Sequence, residues 1–474
     1  MHNLDMVVVG SGIGGSLISA LNSDKNIALF EKDKNLGGCA STFKRFGNYY
    51  NTGATTLVGY EEGHVLKKHF DEINLKPNVT KSDIAIRVVQ NGNVLDRVKD
   101  FETFLDTIER VYPNRNNRAF WTKIVDMDRR FWTLQKIYYA KYSFKKYLKT
   151  SAFVSELFGM FGVDMLKSAK GFIKHTLGDI PSEYQEFIDA QLLITVQSRV
   201  GDLSLLSLAL GLSYPFHDVF YVNGGMGSLI EDILAQVEVH RDEEITKIIR
   251  DDKKWIVQSQ KGEYRTDKLI LNSSIYQSAN LFEDKSIKRY YNSFSFSDQS
   301  AFVLYLSIDI DKSFLEHYQF IYDESIPNAI SNSFFVSFSQ KEDTLLSPNG
   351  RLSVTISTHT KALFWRELSK IEYEKQKMIT EHFIMEKFLE YFTSIKRSDI
   401  SQKFSATSSS FNRYINRYNC GGKAIGFKNF TQLPSSNTPF EGLYSVGDTV
   451  FAGQGWPGVA LGVEVLNKEL KKLF

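Results

Sequence analysis

Met6-Val7-Val8-Val9-Gly10-Ser11-Gly12-Ile13-Gly14-Gly15 (MVVVGSGIGG) stands near the start of the chain, and its reading sets the fold class. The apolar run Met6–Val9 predicts a buried parallel strand that stops at glycine. Gly10, Gly12 and Gly15 then fall on the three glycine positions of G-x-G-x-x-G, with Ile13 and Gly14 between them. Gly10 permits a tight turn, Gly12 lets the backbone approach a pyrophosphate, and Gly15 lets helix and strand pack closely. Ser16–Asn22 reads as the opening of a helix whose N-terminal N–H groups and dipole favour that anion. A second strand, Ile27–Phe30, ends at Glu31, 21 residues after Gly10. An acidic side chain at that distance accepts hydrogen bonds from a ribose. The pattern predicts an α/β, Rossmann-like dinucleotide-binding domain; the alternative is a glycine-rich turn in an unrelated α/β unit.

The following residues select the dinucleotide. Glu31-Lys32 is followed after four residues by Gly37-Gly38, then Cys39-Ala40-Ser41-Thr42-Phe43, and later Asn51-Thr52-Gly53-Ala54-Thr55. A nicotinamide site has no use for the second glycine pair. FAD extends past its pyrophosphate and needs close backbone along the ribityl chain, so FAD is the expected cofactor. The pattern E-K-x4-G-G-C-x-x-T-F, then T-G-A, then a glycine at Glu61-Glu62-Gly63, resembles the flavin-dependent amine oxidase and carotenoid desaturase superfamily. Within it the sequence is most similar to the carotenoid isomerase and retinol saturase branch. The resemblance implies that Lys32, Gly38, Cys39, Ala40, Ser41, Gly53, Ala54 and Thr55 join Gly10, Gly12, Ile13, Gly14, Gly15 and Glu31 around FAD.

Composition bounds the rest. The chain has 474 residues, 42% hydrophobic, with only 9 prolines, enough for two or three domains or one interleaved pair. A net charge of +2 gives no general argument for nucleic acid, and none is expected as a partner. Two cysteines, Cys39 and Cys420, make no disulfide framework, and no Cys/His spacing suits zinc, so no metal is expected. A reducing, cytoplasmic setting follows. The short N-terminal apolar run lacks the basic residues of a signal peptide, and no stretch of about 20 apolar residues predicts a spanning helix. With 36 Phe and 23 Tyr the chain suits either a large apolar cavity or an aromatic core.

Along the chain, Glu62–Phe70 reads as a helix and Ile84–Val89 as a strand before the turn Asn91-Gly92-Asn93. Phe101–Val111, Ala119–Tyr142 and Ser151–Lys170 carry apolar residues at helical spacing. The resemblance makes this region, about 100–200, a cap over the flavin. Between Arg129 and Ser155 there is no acid, while Arg129, Arg130, Lys136, Lys141, Lys145, Lys146 and Lys149 alternate with aromatic residues. That mixture suits peripheral contact with the inner face of an anionic membrane through 129–155; a solvated helix face is the equal alternative. Gly224-Gly225 lead into a helix at Leu229–Gln236, then strands at Glu244–Ile248, Trp255–Ser259 and Leu269–Ser273. By resemblance Ile245 contacts the adenine through its backbone, although the glycine pair alone would merely turn the chain. Ala301–Ile308 and Leu352–Ser357 predict a second sheet. His359, at its end, is more often a structural than a catalytic residue. Ile371–Lys396 reads as a charged, solvent-facing helix.

The C-terminal segment returns to the cofactor. Leu443–Val446 predicts a buried strand ending in Gly447-Asp448, and a helix follows from Ala460 to Leu470. Asp448 at a strand end can accept hydrogen bonds from ribityl hydroxyls, and the helix N-terminus can stabilise charge on the flavin. The motif G-D-x4-G-Q-G-x-x-G-V-A closely resembles the end of carotenoid isomerases, which implies cofactor contacts at Gly447, Asp448, Gly458 and Val459. Cys39 stands where many relatives carry arginine, Asn51 where an acid is usual and Ala452 where proline is usual.

These readings give a flavoprotein whose FAD domain comprises 1–75, 215–285 and 415–474. A substrate domain of mixed sheet and helical cap comprises 76–214 and 286–414. The resemblance implies an FAD-dependent oxidoreductase acting on C–C bonds of an apolar polyene, by desaturation, saturation or cis–trans isomerisation. No catalytic residue is identified; Trp456, beside the C-terminal helix, is the candidate for facing substrate. The rivals are an amine oxidase on the same fold and a non-catalytic, FAD-containing lipid-binding protein. The oligomeric state is left open.

Overall fold

Val9, Phe30, Leu271 and Ser445 lie side by side at the carboxyl ends of four neighbouring parallel strands. The computed structural model describes residues 2–134, 144–201, 203–424, 433–453 and 455–473, with the side chains of 144–147 excepted. The parallel strands are His2–Val9, Ile27–Phe30, Glu238–His240, Glu263–Leu271 and Leu443–Ser445. An antiparallel extension, Ile245–Asp251 and Lys254–Ser259, pairs with the proximal half of Glu263–Leu271. The first strand is buried on both faces, as its unbroken apolar run requires: Met6 and Val8 pack on the helix side, Val7 on the other. Each such fully buried valine contributes about 1.5–3 kcal/mol of hydrophobic stabilisation.

Ile13–Ala20 forms the helix after the glycine turn, beginning three residues earlier than Ser16. Nearly all of it is buried, against the C-terminal helix Gly455–Leu470. That C-terminal helix also starts early, at Gly455 rather than Ala460. Pro457 is tolerated because the N–H groups of a first turn have no intrahelical acceptor.

The second sheet is mixed. Its order is Ile400–Ala406, Ser300–Ile308, Leu352–Thr360, Ser333–Phe338, His317–Ile321, Ile86–Gln90 and Asn93–Arg97. Strand alternation decides which side chain goes where. Phe302, Leu304 and Leu306 pack down with Ile384 and Phe388 of the helix Lys370–Tyr391, whereas Ala301, Val303 and Tyr305 face a cavity. The helix expected to be solvent-facing therefore buries one stripe, and it ends at Tyr391 rather than Lys396.

The cap is built from Phe101–Val111, Asn117–Phe131, Phe144–Phe161, Ala169–Leu177, Ser182–Val196 and Leu205–Ser213 around an aromatic core. The long helix expected over Ala119–Tyr142 stops at Phe131. The one expected over Ser151–Lys170 breaks at Gly162, whose φ of +54° is left-handed, into a 3-10 turn, Gly162–Leu166. Among the described residues no helix is long and apolar enough to cross a membrane.

Candidate active site

The carboxyl edge of the parallel sheet opens into a cavity of about 1780 Å³ that continues under the cap. Gly10, Gly12, Ile13 and Gly14 line it from the first turn, and Glu31 and Lys32 from the end of the second strand. Gly38, Cys39, Ala40 and Ser41 line it beside Gly53, Ala54 and Thr55. Ile245, Gly447, Asp448, Trp456, Gly458 and Val459 complete that end. Gly15 is the one expected cofactor residue outside the lining. A Cβ there would stand 2.0 Å from the Gly10 carbonyl oxygen, so Gly15 serves the packing of helix on turn. Gly224 and Gly225 do not line the cavity either. They seat the helix Met226–Ile233 on the hairpin Thr42–Asn51, where Asn51 Oδ1 accepts from the Met226 N–H at 2.9 Å.

The far end of the cavity is walled by the cap and the second sheet, with Phe131, Trp132, Phe153, Leu157, Leu206 and Leu210 among the lining residues. His359 also faces it. Burial pushes its imidazole down to about 4, so the ring is neutral.

A profile described as flavin containing amine oxidoreductase matches residues 19–416. The chain belongs to that family. It is 23% identical to prolycopene isomerase 1, chloroplastic, of an Oncidium hybrid cultivar, over 96% of this chain and 82% of the relative. It is also 23% identical to a 4,4'-diapophytoene desaturase (4,4'-diaponeurosporene-forming) of Staphylococcus haemolyticus, over 98% of this chain and 97% of the relative. A solved oxidoreductase from Methanosarcina mazei shares the fold, with a TM-score of 0.64 at 18% identity, covering 98% of this chain and 100% of that one. This family member is an FAD-dependent oxidoreductase.

The residues present fit FAD. Two helix N-termini, at Ile13 and Gly455, open on one cavity and present N–H groups without intrahelical acceptors. Ser41 Oγ and Trp456 Nε1 line that cavity and are buried with no hydrogen-bond partner among the described residues. Glu31 keeps one acceptor position: Oε2 takes Ser11 N–H at 2.8 Å and Ser11 O–H at 2.6 Å, and Oε1 takes Asp33 N–H at 3.0 Å.

Asp448 has a partner that the sequence reading did not include. Its two oxygens accept Arg417 Nη1 and Nη2, each at 2.9 Å, so the carboxylate already has a cationic partner. Arg417 is buried, and it further donates to the carbonyls of Asn419 and Gly421 at 2.6 and 3.3 Å. Its Nη1 also lies 4.0 Å from Cys39 Sγ. The family's frequent arginine after the glycine pair is absent here, yet Arg417 brings a guanidinium beside Cys39 from elsewhere in the chain. Burial raises both thiols, Cys420 to about 12, so both remain protonated.

Arg417 and Asn272 are the site residues the sequence reading missed. Asn272 follows the strand Glu263–Leu271, and a Cβ added to Gly12, Gly14, Gly15 or Gly447 would meet its side chain. The signal was present: a polar residue directly after the apolar run Leu269-Ile270-Leu271, the same position that Gly10 and Glu31 hold after their strands. Arg417 carried no comparable signal beyond the glycine pair Gly421-Gly422 after it.

The segment read as a membrane contact is described only in part. Residues 135–143 and the side chains of 144–147 lie outside the described residues, and with them Lys136, Lys141, Lys145 and Lys146; so does Gln454. Of the rest of 129–155, Lys149 pairs with Glu469 at 2.7 Å, and Phe131 and Phe153 turn inward. Among the described residues of 144–166, the exposed large apolar side chains are Leu148, Phe158, Val163 and Leu166, of which Phe158 and Leu166 also line the cavity.

Proposed function

We propose that this enzyme acts on a long apolar polyene, of carotenoid or retinoid type, changing the order or geometry of its C–C bonds. The observation that carries the reading is the size and lining of the cavity. Ligand pockets ordinarily measure about 300–1,000 Å³, and 1780 Å³ leaves room for FAD and a second extended molecule. The names of the relatives, an isomerase and a desaturase of carotenoids, support it. When bound, FAD supplies hydride or electron transfer. The protein's part is to hold the polyene under the cap, keep water out with aromatic and aliphatic walls, and present Trp456 and the dipole of Gly455–Leu470 to the ring. The neutral His359 and the protonated thiols add no charge to the apolar wall. On this reading 1–75, 215–285 and 415–474 hold the cofactor, and 76–214 with 286–414 hold the substrate. The cavity mouth at Phe158 and Leu166 meets the bilayer from which such a substrate is drawn.

The test is to incubate purified yellow protein, with an electron acceptor or under reduction, with carotenoids and retinoids and follow their ultraviolet–visible spectra. A shifted polyene spectrum supports the reading. Hydrogen peroxide formed from small amines, with polyenes untouched, makes the protein an amine oxidase. Bound flavin that never changes redox state with either class leaves only the lipid-binding role.

A further inference from the structure

Beyond the cofactor residues, one more concentration of chemistry stands beside the cavity, which His217 and Asp128 of the cluster line. Glu61 and His64, three residues apart after the strand Leu57–Val58, meet His217, which follows the 3-10 turn Tyr214–Phe216. Glu61 Oε1 lies 2.7 Å from His217 Nδ1 and 3.4 Å from His64 Nε2, and one donor atom from each residue lies within 4.8 Å of the other two. Outer partners orient two of the three. His217 Nε2 is 2.7 Å from Asp128 Oδ2, on the cap helix Asn117–Phe131. Glu61 Oε2 accepts from Lys99 Nζ at 2.7 Å and from the Asp218 N–H at 3.2 Å. His64 is only 9% exposed, packs on Trp132 with ring centroids 4.9 Å apart, and buries Nδ1 without a hydrogen-bond partner among the described residues.

We propose that Glu61, His64 and His217 form a binding site for a divalent transition-metal cation, which clamps the segment 61–64 to the cap. Such ions take imidazole nitrogen and carboxylate oxygen at about 2.0–2.2 Å, so ligands around one ion stand about 3–3.5 Å apart. The Glu61–His64 separation already has that value. The Glu61–His217 pair must open by about half an ångström as the ion displaces the proton between them. Asp128 then plays the part of the outer carboxylate that fixes a ligating histidine. Two imidazoles and one carboxylate favour zinc and its first-row neighbours over calcium or magnesium, which take oxygen ligands. An ion-pair network, with His217 shared between Glu61 and Asp128, accounts for His217 alone. It leaves His64 buried between Trp132 and the His217 ring, its imidazole pushed down by burial, with a 3.4 Å approach of Nε2 to Glu61. Ligation gives that ring a partner.

The flavin-loaded protein, stripped with a chelator and dialysed, is titrated with Zn²⁺ alone by calorimetry. One equivalent per chain is expected, with a melting temperature that climbs with Zn²⁺ concentration. His64→Gln and His217→Gln should each weaken binding by about a hundred-fold or more, and Asp128→Asn by about ten- to a hundred-fold. His382→Gln, at a histidine 76% exposed on another helix, should leave binding unchanged. Flavin absorbance reports whether each variant has folded. X-ray absorption on the zinc-loaded parent needs no variant and should show two imidazoles with oxygen donors. Failure of the parent to bind Zn²⁺ stoichiometrically, equal affinity in both histidine variants, or a shell without imidazole overturns the site.

Discussion

Asp448 is paired with Arg417 and still has acceptor capacity to spare. Its oxygens hold the buried Arg417 guanidinium, and each retains a lone pair that can accept from a ribityl hydroxyl. Removing one member of a buried ion pair costs about 3–5 kcal/mol, because the other charge is left unpaired. Asp448→Ala should therefore lower the melting temperature and weaken FAD affinity about ten- to a hundred-fold, the equivalent of one charge-assisted hydrogen bond of roughly 1.5–3 kcal/mol. Arg417→Gln should lower stability comparably and affinity much less. Titrating FAD into the two apoproteins separates the roles: equal affinities would make Asp448 a partner of Arg417 alone. The glycines divide in the same way. A Cβ at Gly15 meets the Gly10 carbonyl at 2.0 Å, backbone that cannot yield, whereas a Cβ at Gly12 meets the movable end of Asn272 at 2.5 Å. Gly15→Ala should fail to yield soluble protein. Gly12→Ala should stay folded with reduced flavin content, as absorbance of the purified variants will report.

Among the elements, those with a single period were legible and those defined by a break were not. Ile27–Phe30 and Phe101–Val111 stand where the apolar pattern puts them. Gly162 inside a helical pattern, or the first turn of Gly455–Leu470 beneath glycine and proline, reads locally as loop and is decided by packing. The same limit applied to 129–155. Charge and aromatic content were visible there, but which way Phe153 turns and what Lys149 pairs with are tertiary facts. On the proposed reading, the surface offered to a bilayer is then the outward apolar residues of Phe144–Phe161 and the turn after it. Aspartate at Phe158, Val163 and Leu166 together should weaken binding to anionic liposomes, read by sedimentation, by about a thousand-fold, at roughly tenfold for each apolar group of about 1.4 kcal/mol withdrawn. Lys149→Gln should leave sedimentation unchanged, since its charge is already matched by Glu469.

At the scale of the molecule, the cluster of Glu61, His217 and Asp128 joins the cap to the segment below it, and in metal-free protein this junction depends on pH. Burial alone would lower His217, but Asp128 and Glu61 raise it to about 9. Burial alone would raise Glu61, but hydrogen bonds from His217 and Lys99 hold it far below the ordinary carboxylate range. The contribution of His217 is complete below its unfolded value of about 6.5 and is lost as pH climbs through about 9. That of Glu61 is complete above about 4.3 and is lost as pH falls. Melting temperature in chelator should thus hold a plateau between about pH 4.5 and 6.5 and decline on the alkaline side. His217→Gln should flatten the alkaline decline. Parallel declines in parent and variant would show that the junction contributes nothing. None of this was legible in the sequence, because the three residues come from positions separated by up to 156 residues and only the fold brings them together. The glycine turns that line the sheet end of the cavity, by contrast, were legible from motifs alone, since glycine turns at strand ends carry their geometry in the local sequence.

The last parallel strand, Leu443–Ser445, pairs with Leu269–Leu271, and the turn after it meets Asn272 and the first glycine turn. On the ribosome these halves are made far apart in time. At about 5–20 residues per second, roughly 400 residues separate the first turn from the last by some 20–90 s. Throughout that interval the glycine turn stands without the neighbour that closes it. Flavin should therefore be captured only after the last parallel strand has joined the sheet, which makes yield in a flavin-starved cell depend on the wait between that docking and capture.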